Sequence, residues 1–296
     1  MTESHSRLST RRIDTRSVGF VLAGASEVAA RWVADAIRQQ PPAPGTQDTA
    51  GAWIAGVYSH NERRARQFAD VNQLIHFGID LGPLLQRPGV QCLYVGNHPR
   101  HHAETVRIAL EAQRHVLCEP PLALDQEEAA ELVDLATRRG LVLAMNYTRR
   151  ALGVIHALHE LLIEDRLGEL MGGRIQDTAY LIPAKQTWRL QPNGGGVLYD
   201  RTLHAVDLLR YLLHTSIEEV YIRSPRRRGY DVEEEVIGFV VLTGGRHIQL
   251  HDAFLLPHSP PLIELVGVAG TATAIGIDPG VQQGSLTVVQ GDQGRR

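Results

Sequence analysis

Lysine is almost absent from this 296-residue chain: of 30 basic side chains, all but Lys185 are arginine. Chemistry that needs a primary amine therefore has one address. Cysteine is nearly as scarce, with only Cys92 and Cys118, each inside an apolar stretch. This excludes a disulfide framework and fits reduced, buried thiols in a cytoplasmic protein. Excess charge of either sign is also missing. The 30 basic residues face 33 acidic ones, a formal charge of −3. No global basic surface is left for nucleic acid, and no acidic surplus marks disorder. No apolar run is long enough to span a bilayer, and mean hydropathy is −0.15. The first sixteen residues, MTESHSRLSTRRIDTR, lack the apolar segment of a secretory leader and read as a loose polar tail (1–16). What the chain has is length and 43% hydrophobic residues, enough for a sizeable core in two modest domains.

The first half alternates strands and helices. VGFVLAG, from Val18, reads as a strand, and EVAARWVADAIRQQ as a helix with Ala29, Trp32, Val33, Ala36 and Ile37 on one face. PPAPGTQDTAG breaks the pattern. The unit repeats through AWIAGVYS, NERRARQFAD, QLIHFG, VQCLYVG, HHAETVRIALEAQ, RHVLCEP, QEEAAELVDLATRRG and LVLAMNY. Near-continuously apolar strands separated by helices predict a doubly wound α/β parallel sheet. After about Arg150 the rhythm changes. Two helices, VIHALHELLIED and LHAVDLLRYLLH, accompany the strand-like runs MGGRIQDTAYLI, EEVYIRS, EEVIGFVVLTG, RHIQLHDAFLL, LIELVGVAG, TATAIG and SLTVVQG. This predicts an α+β second domain on a mainly antiparallel, open sheet. No internal repeat is visible.

The turn after the first strand is Gly24-Ala25-Ser26-Glu27-Val28-Ala29. Against G-x-G-x-x-G/A, Gly24 fills the first position, Ser26 the second and Ala29 the third. The strand–turn–helix context suits a dinucleotide: a tight turn, a close backbone approach to the pyrophosphate, and free N–H groups at the helix start. An ordinary βα turn is the competing reading. At the end of the second strand stand Ser59 and His60, with Arg63 and Arg64 close by and no carboxylate. An acid there would bind a ribose 2′-hydroxyl, whereas cations accept a 2′-phosphate, so the cofactor leans from NAD towards NADP. The same arginines could equally do no more than solvate the helix surface.

The run VQCLYVGNHPRHHAETVRIALEAQRHVLCEPPLAL, together with GASEVAA, MNYTRR and TWRLQPNGGGVLYDRTLHAVDLLRYLL, resembles the glucose–fructose oxidoreductase / inositol dehydrogenase / MocA family. The likeness covers roughly Val18 to Gly276. It implies an N-terminal Rossmann domain (17–122) and a C-terminal α/β domain (123–296), with helix 124–139 and strand 141–147 packing back on the first. It also implies NAD(P)-dependent hydride transfer to or from a sugar, polyol or related carbonyl compound. A homodimer or homotetramer through the C-terminal sheet is implied as well, with neither nucleic acid nor membrane as partner.

The family's Glu-Lys-Pro becomes Glu119-Pro120-Pro121, so the lysine that usually lies near the nicotinamide is replaced by a residue without an ionisable group. The family's G-G-G-x-x-x-D-x-G-x-H is matched from Gly194 to His204, with Thr202 in place of the last glycine. Asp200 and His204 are four apart on a predicted helix and so share a face. A carboxylate beside an imidazole can hold its tautomer and raise its proton affinity. The resemblance makes this pair the substitute for the lysine in proton transfer. A helix cap and a core histidine are the plain alternative. Lys185 is a further catalytic candidate, although a solvated loop residue is the simpler reading. Asn146, Arg149, Trp188, Arg189 and Tyr199 are candidates for the substrate side. Asn97, His98 and His102 follow the fourth strand, where the nicotinamide end is expected, and Glu119 and Pro120 lie beside it. The histidines lack a third metal ligand nearby, and no metal is expected. Ser26, Pro120 and Thr202 all depart from the motifs, which keeps open a catalytically degenerate nucleotide-binding or regulatory protein on the same scaffold.

Overall fold

A computed structural model describes residues 17–39, 51–182, 185–226, 229–254, 256, 259–280 and 283–291. The tail read at 1–16, most of the 41–51 loop, and Arg227 and Arg228 lie outside these. The chain divides into two compact units. One contains the residues up to Cys118 together with Asp125–Ala144, and the other Glu119–Leu124 with Met145 onward.

The first unit holds β1 (Val18–Ala23), α1 (Ala34–Arg38), β2 (Ala52–Tyr58), α2 (Glu62–Asn72), β3 (Phe77–Gly78), α3 (Leu81–Leu85), β4 (Val90–Val95), α4 (His102–Glu111), β5 (His115–Cys118) and α5 (Gln126–Arg138). β6 (Leu143–Met145) completes a six-stranded sheet of order β3-β2-β1-β4-β5-β6. The registered pairs β1–β2, β1–β4, β2–β3 and β4–β5 are all parallel. Val21, Leu22, Val57, Leu93, Tyr94 and Val95 are wholly buried, as expected for strands covered on both faces. The helices start on side-chain caps: Asn61 accepts from the Arg64 N–H at 3.0 Å and Asp125 from the Glu128 N–H at 3.0 Å.

The first helix departs from its reading. Its opening segment, Ala29–Val33, is a π-type turn that continues into α1. Five-residue hydrogen bonding shifts the phase, so Ala29, Ala34 and Ile37 are buried while Trp32 and Ala36 face solvent. A 3.6-residue repeat cannot anticipate that offset.

The second unit holds α6 (Gly153–Ile163), β7 (Leu170–Thr178), α7 (Leu203–Leu213), β8 (Ile217–Arg223), β9 (Glu235–Leu242), β10 (His247–Ala253), β11 (Leu262–Gly267), β12 (Gly270–Ile275) and β13 (Ser285–Gln290). Its sheet runs β13-β12-β11-β7-β10-β9-β8. Only β7–β10 is parallel; every other pair is antiparallel. Ile175, Val236, Val240, Ile248, Leu250 and Ile263 point inward and join Ile155, Leu158, Ala205, Leu208 and Leu212 of α6 and α7 in one core. Among the described residues no helix is long and apolar enough to cross a membrane.

Candidate functional site

In the first unit the strand order reverses between β1 and β4, and ligands of open α/β sheets bind beyond the carboxyl ends of such a pair. Gly24 stands there at φ +115°. A Cβ added to it would lie 2.5 Å from the Gly96 carbonyl oxygen and 2.6 Å from the Asn97 nitrogen. Only glycine allows both that conformation and that approach. The Gly24 N–H donates to Tyr58 O at 2.9 Å and the Gly96 N–H to Ala23 O at 2.8 Å, so three strand ends are fixed together.

Ser26 acts as a cap: its Oγ accepts from the Ala29 N–H at 3.1 Å. This leaves the first-turn N–H groups of Glu27 and Val28 without an intrahelical acceptor, the arrangement that suits an anion. Ala25 is half-buried and Glu27 exposed. The Glu27 carboxylate would repel phosphate, but Arg31 one turn later pairs with it at 3.2 Å.

At the end of β2, Ser59 Oγ accepts from the Asn61 N–H at 3.3 Å, and His60 Nδ1 lies 3.1 Å from the Tyr58 hydroxyl. The His60 ring also meets that of His101, with centroids 4.2 Å apart. Arg63 and Arg64 are exposed in the first turn of α2, and neither forms an ion pair among the described residues.

Beyond β4, Asn97 donates through Nδ2 to Thr105 Oγ1 at 2.9 Å, while its Oδ1 is buried without a partner. That orphan acceptor, the glycine cradle and the free first-turn donors fit a dinucleotide. His98 caps the turn that follows, its Nδ1 accepting from the Arg100 N–H at 3.2 Å. Burial, then Arg100, pushes its pKa down to about 4. His102 differs from its reading as a cofactor contact. It is buried, with Nε2 3.1 Å from the Asn97 carbonyl oxygen and Nδ1 3.7 Å from Cys118 Sγ. It braces the loop from behind. Among the described residues no group of three His, Cys, Asp or Glu side chains converges as a metal site.

The second unit assembles a different set. The Asp200–His204 couple expected from their spacing does not form. Asp200 belongs to a π-type turn, Leu198–Thr202, which breaks the α-helical phase between the two residues. Its Oδ1 accepts from Arg189 Nε at 3.0 Å, and the Arg189 guanidinium lies over the Trp188 ring, 4.5 Å from its centroid. His204 sits instead edge-on to the Tyr147 ring, centroids 5.6 Å apart, with its Nδ1 buried and unpartnered. Burial above all, then the nearby Arg149 and Arg201, pushes its pKa down to about 4. The imidazole is therefore neutral at pH 7, opposite to the direction expected from a carboxylate neighbour.

The glycine run also serves the chain itself. A Cβ on Gly196, at φ +97°, would strike the Glu233 carboxylate at 2.2 Å, and Glu233 Oε1 accepts from the Leu198 N–H at 2.9 Å. Asn146 donates to Glu119 Oε1 at 2.6 Å, and the Tyr199 hydroxyl donates to Leu124 O at 2.9 Å. Both lash the segment containing Pro120 to the rest of the unit, so the Tyr199 hydroxyl is already committed. Lys185 is exposed and pairs with neither Asp200 nor His204.

Arg149, expected on the substrate side, is buried and pairs with Asp177 at 2.5 Å; Arg201 Nη1 meets the same carboxylate at 2.5 Å. Asp177 is fully buried on β7, and its in-register neighbour on β10 is Asp252, also fully buried. These two aspartates and Arg201 escaped the motif reading. Their signal was phase: in RIQDTAY and RHIQLHDAF the carboxylates fall on the inward alternation with Ile175 and Leu250. Replacing Asp177 with Asn strands two buried guanidinium groups. We expect about 3 kcal/mol or more of lost stability, read from urea unfolding.

Comparison with known proteins adds an independent finding. A family model described as an oxidoreductase family with an NAD-binding Rossmann fold matches residues 19–147, and one described as a GFO/IDH/MocA C-terminal domain matches 155–273. The chain is 33% identical over 254 residues to a 1,5-anhydro-D-fructose reductase of Ensifer adhaerens, spanning 84% of this chain and 73% of that protein. It is 31% identical over 253 residues to a dTDP-3,4-didehydro-2,6-dideoxy-alpha-D-glucose 3-reductase of Streptomyces antibioticus, covering 81% and 70%. A 3-ketoreductase from Actinomadura kijaniata, solved with NADP and TDP-benzene, shares the fold with a TM-score of 0.79 and 22% identity, over 93% of this chain and 85% of that one.

Proposed function

The chain belongs to the Gfo/Idh/MocA family of nicotinamide-dependent oxidoreductases, and from that premise we propose that it is an NADP-preferring reductase of a ketosugar or related polar ketone. The observation that carries the cofactor half is Gly24, whose left-handed backbone packs on Gly96 and Asn97 where the strand order reverses. The names of the relatives support the substrate half, since the two described above are reductases of sugar derivatives.

On the first unit, the N–H groups of Glu27 and Val28 would hold the diphosphate and Asn97 Oδ1 a donor of the cofactor. Ser59, His60, Arg63 and Arg64 would receive the 2′-phosphate. When bound, the reduced nicotinamide supplies two electrons and a hydrogen to the substrate carbon. The remaining work falls to the second unit. There the neutral His204 can donate a ring proton to the substrate oxygen, and Tyr147, edge-on to it, restrains the ring. Asp200, tied to Arg189, positions the guanidinium over Trp188 and leaves its second oxygen for a substrate hydroxyl. Pro120 takes no part in proton transfer.

Calorimetric titration with NADPH and NADH tests the cofactor half, and oxidation of NADPH against a panel of ketosugars tests the rest. Tight binding without turnover of any ketone would favour the degenerate binding protein that the replaced lysine suggests. Truncating Arg63 and Arg64 together to Ala should weaken NADPH binding about 10- to 100-fold, at roughly one charge-assisted contact each, and leave NADH unchanged. Equal losses for both cofactors would reassign those arginines to the solvated surface. The outward face of the second sheet carries Tyr221, Ile237 and Val266 exposed, which supports a homo-oligomer; light scattering gives its size.

A further inference from the structure

Two pairs of residues, each three apart in the chain, interlock in the second unit. On α7, His204, Asp207 and Tyr211 stand at i, i+3 and i+7 and so form one helical stripe. In the segment before α6, Tyr147 precedes a 3₁₀ turn, Thr148–Ala151, and the Arg150 N–H donates to the Tyr147 carbonyl at 3.1 Å. Side chains three apart in such a turn project to the same side. Tyr147 meets His204, edge-on, with ring centroids 5.6 Å apart. Arg150 meets Asp207: its Nε donates to Oδ2 at 2.8 Å and its Nη2 to Oδ1.

The Arg150 guanidinium is held from the sides as well. Its carbon lies 5.1 Å from the Tyr211 ring centroid and 5.6 Å from that of Tyr147. Tyr211 is backed in turn by His159 of α6, whose ring stacks on it at 4.8 Å with the planes 17° apart. Asp207 is buried, while 46% of the Arg150 side chain is exposed. A planar fork that grips both oxygens of a buried carboxylate, with aromatic rings against it, has little freedom to turn.

Tyr147 touches His204 through a ring edge, a contact that tolerates a broad range of angles. The phenol ring by itself does not fix the imidazole. Arg150 supplies the missing restraint. One hydrogen bond ties its backbone to Tyr147, and two tie its side chain to the helix that carries His204, one turn along. Phenol, guanidinium, carboxylate and imidazole thus close a ring of contacts between two segments. A contact that merely fastened this segment to α7 could lie anywhere along the helix. This one falls next to the imidazole and lies against the Tyr147 ring too.

We propose that Arg150 is a positioning residue of the reaction: latched to Asp207, it holds Tyr147 edge-on to His204 and so sets the angle at which the imidazole presents its proton. The idea rests on the reading that His204 protonates the substrate oxygen. Arg150 and Asp207 exchange no proton themselves and act through the Tyr147 ring. Donation needs the donor nitrogen within about 3 Å of the receiving oxygen. An error of about 1 Å in such placement costs on the order of a hundredfold in rate.

The test is Arg150→Met in the full chain, with and without His204. Alone, the substitution should lower kcat on the best ketosugar of the panel by roughly tenfold to a hundredfold, with KM and the NADPH dissociation constant largely unchanged. In the His204→Ala background it should cost nothing further, because no imidazole is left to aim. A loss of the same size in both backgrounds would assign Arg150 to general structure and overturn the proposal, as would a wild-type kcat in the single variant. Nitrogen-15 spectra of histidine-labelled protein read the latch directly. The His204 ring signals, assigned by their loss in His204→Ala, should be sharp in the wild type and shifted or broadened in Arg150→Met. If Arg150→Met does not fold, Arg150→Lys takes its place. Lysine keeps the charge without the fork, so kcat should still fall, and an unchanged kcat rejects the latch. Failure of the underlying reading shows separately, as a fully active His204→Ala variant. Failure of the latch alone shows as ring signals that Arg150→Met leaves unaltered.

Discussion

Replacing Gly24 with valine should abolish cofactor binding while leaving a folded second unit. The residue stands at φ +115°, a region that costs a branched side chain about 1–3 kcal/mol. Its Cβ would sit 2.5 Å from a backbone oxygen that cannot swing away, because Gly96 is itself pinned to Ala23. Relieving that overlap means parting β1 from β4, which adds roughly 1–3 kcal/mol of overpacking. Spent on the binding equilibrium, the sum corresponds to a loss of about 10²- to 10⁴-fold in NADPH affinity. Isothermal titration reads it directly, and near-ultraviolet circular dichroism reports whether the second unit survives. A Gly24→Val protein that binds NADPH as well as the wild type would remove the dinucleotide from this turn.

His204→Ala should lower kcat by on the order of 10²- to 10⁴-fold, the usual worth of a positioned proton donor, with the NADPH dissociation constant unchanged. The asymmetry follows from where the residue stands: it belongs to the second unit, whereas Glu27 and Val28, the phosphate donors proposed above, belong to the first. The loss should persist across pH 5 to 8, because the ring is already neutral there and no titration of His204 falls inside the window. A rate that falls as pH rises through about 6.5, and does so only while His204 is present, would mean that the ring acts as an imidazolium. Its burial beside Arg149 and Arg201 would then have been relieved during turnover.

Much of the fold was legible because its signals are local. Apolar runs such as VQCLYV and the strand-like run HIQLHDA each state their element within a few residues. Where local periodicity was interrupted, the reading slipped. Trp32 was placed inside and Asp200 beside His204 because both inferences assumed an α-helical repeat. In each case a π-type turn intervenes. The pairing of Asp200 with Arg189, eleven residues away, has no periodic signature at all.

The sequence by itself determined the two-part architecture, the glycine turn with its dinucleotide logic, the replacement of the motif lysine by Pro120, and the identity of the residues at the second signature. These depend on chain-local sterics and on residue type. Only the tertiary structure decided which charges neutralise one another. The strand register of β7 and β10 sets Asp177 beside Asp252, and residues from distant segments, Arg149 and Arg201, both turn to Asp177. Burial makes the protonation states of His204 and Asp252 depend on those neighbours, so the direction of each shift is a property of the packed sheet and absent from the string of letters.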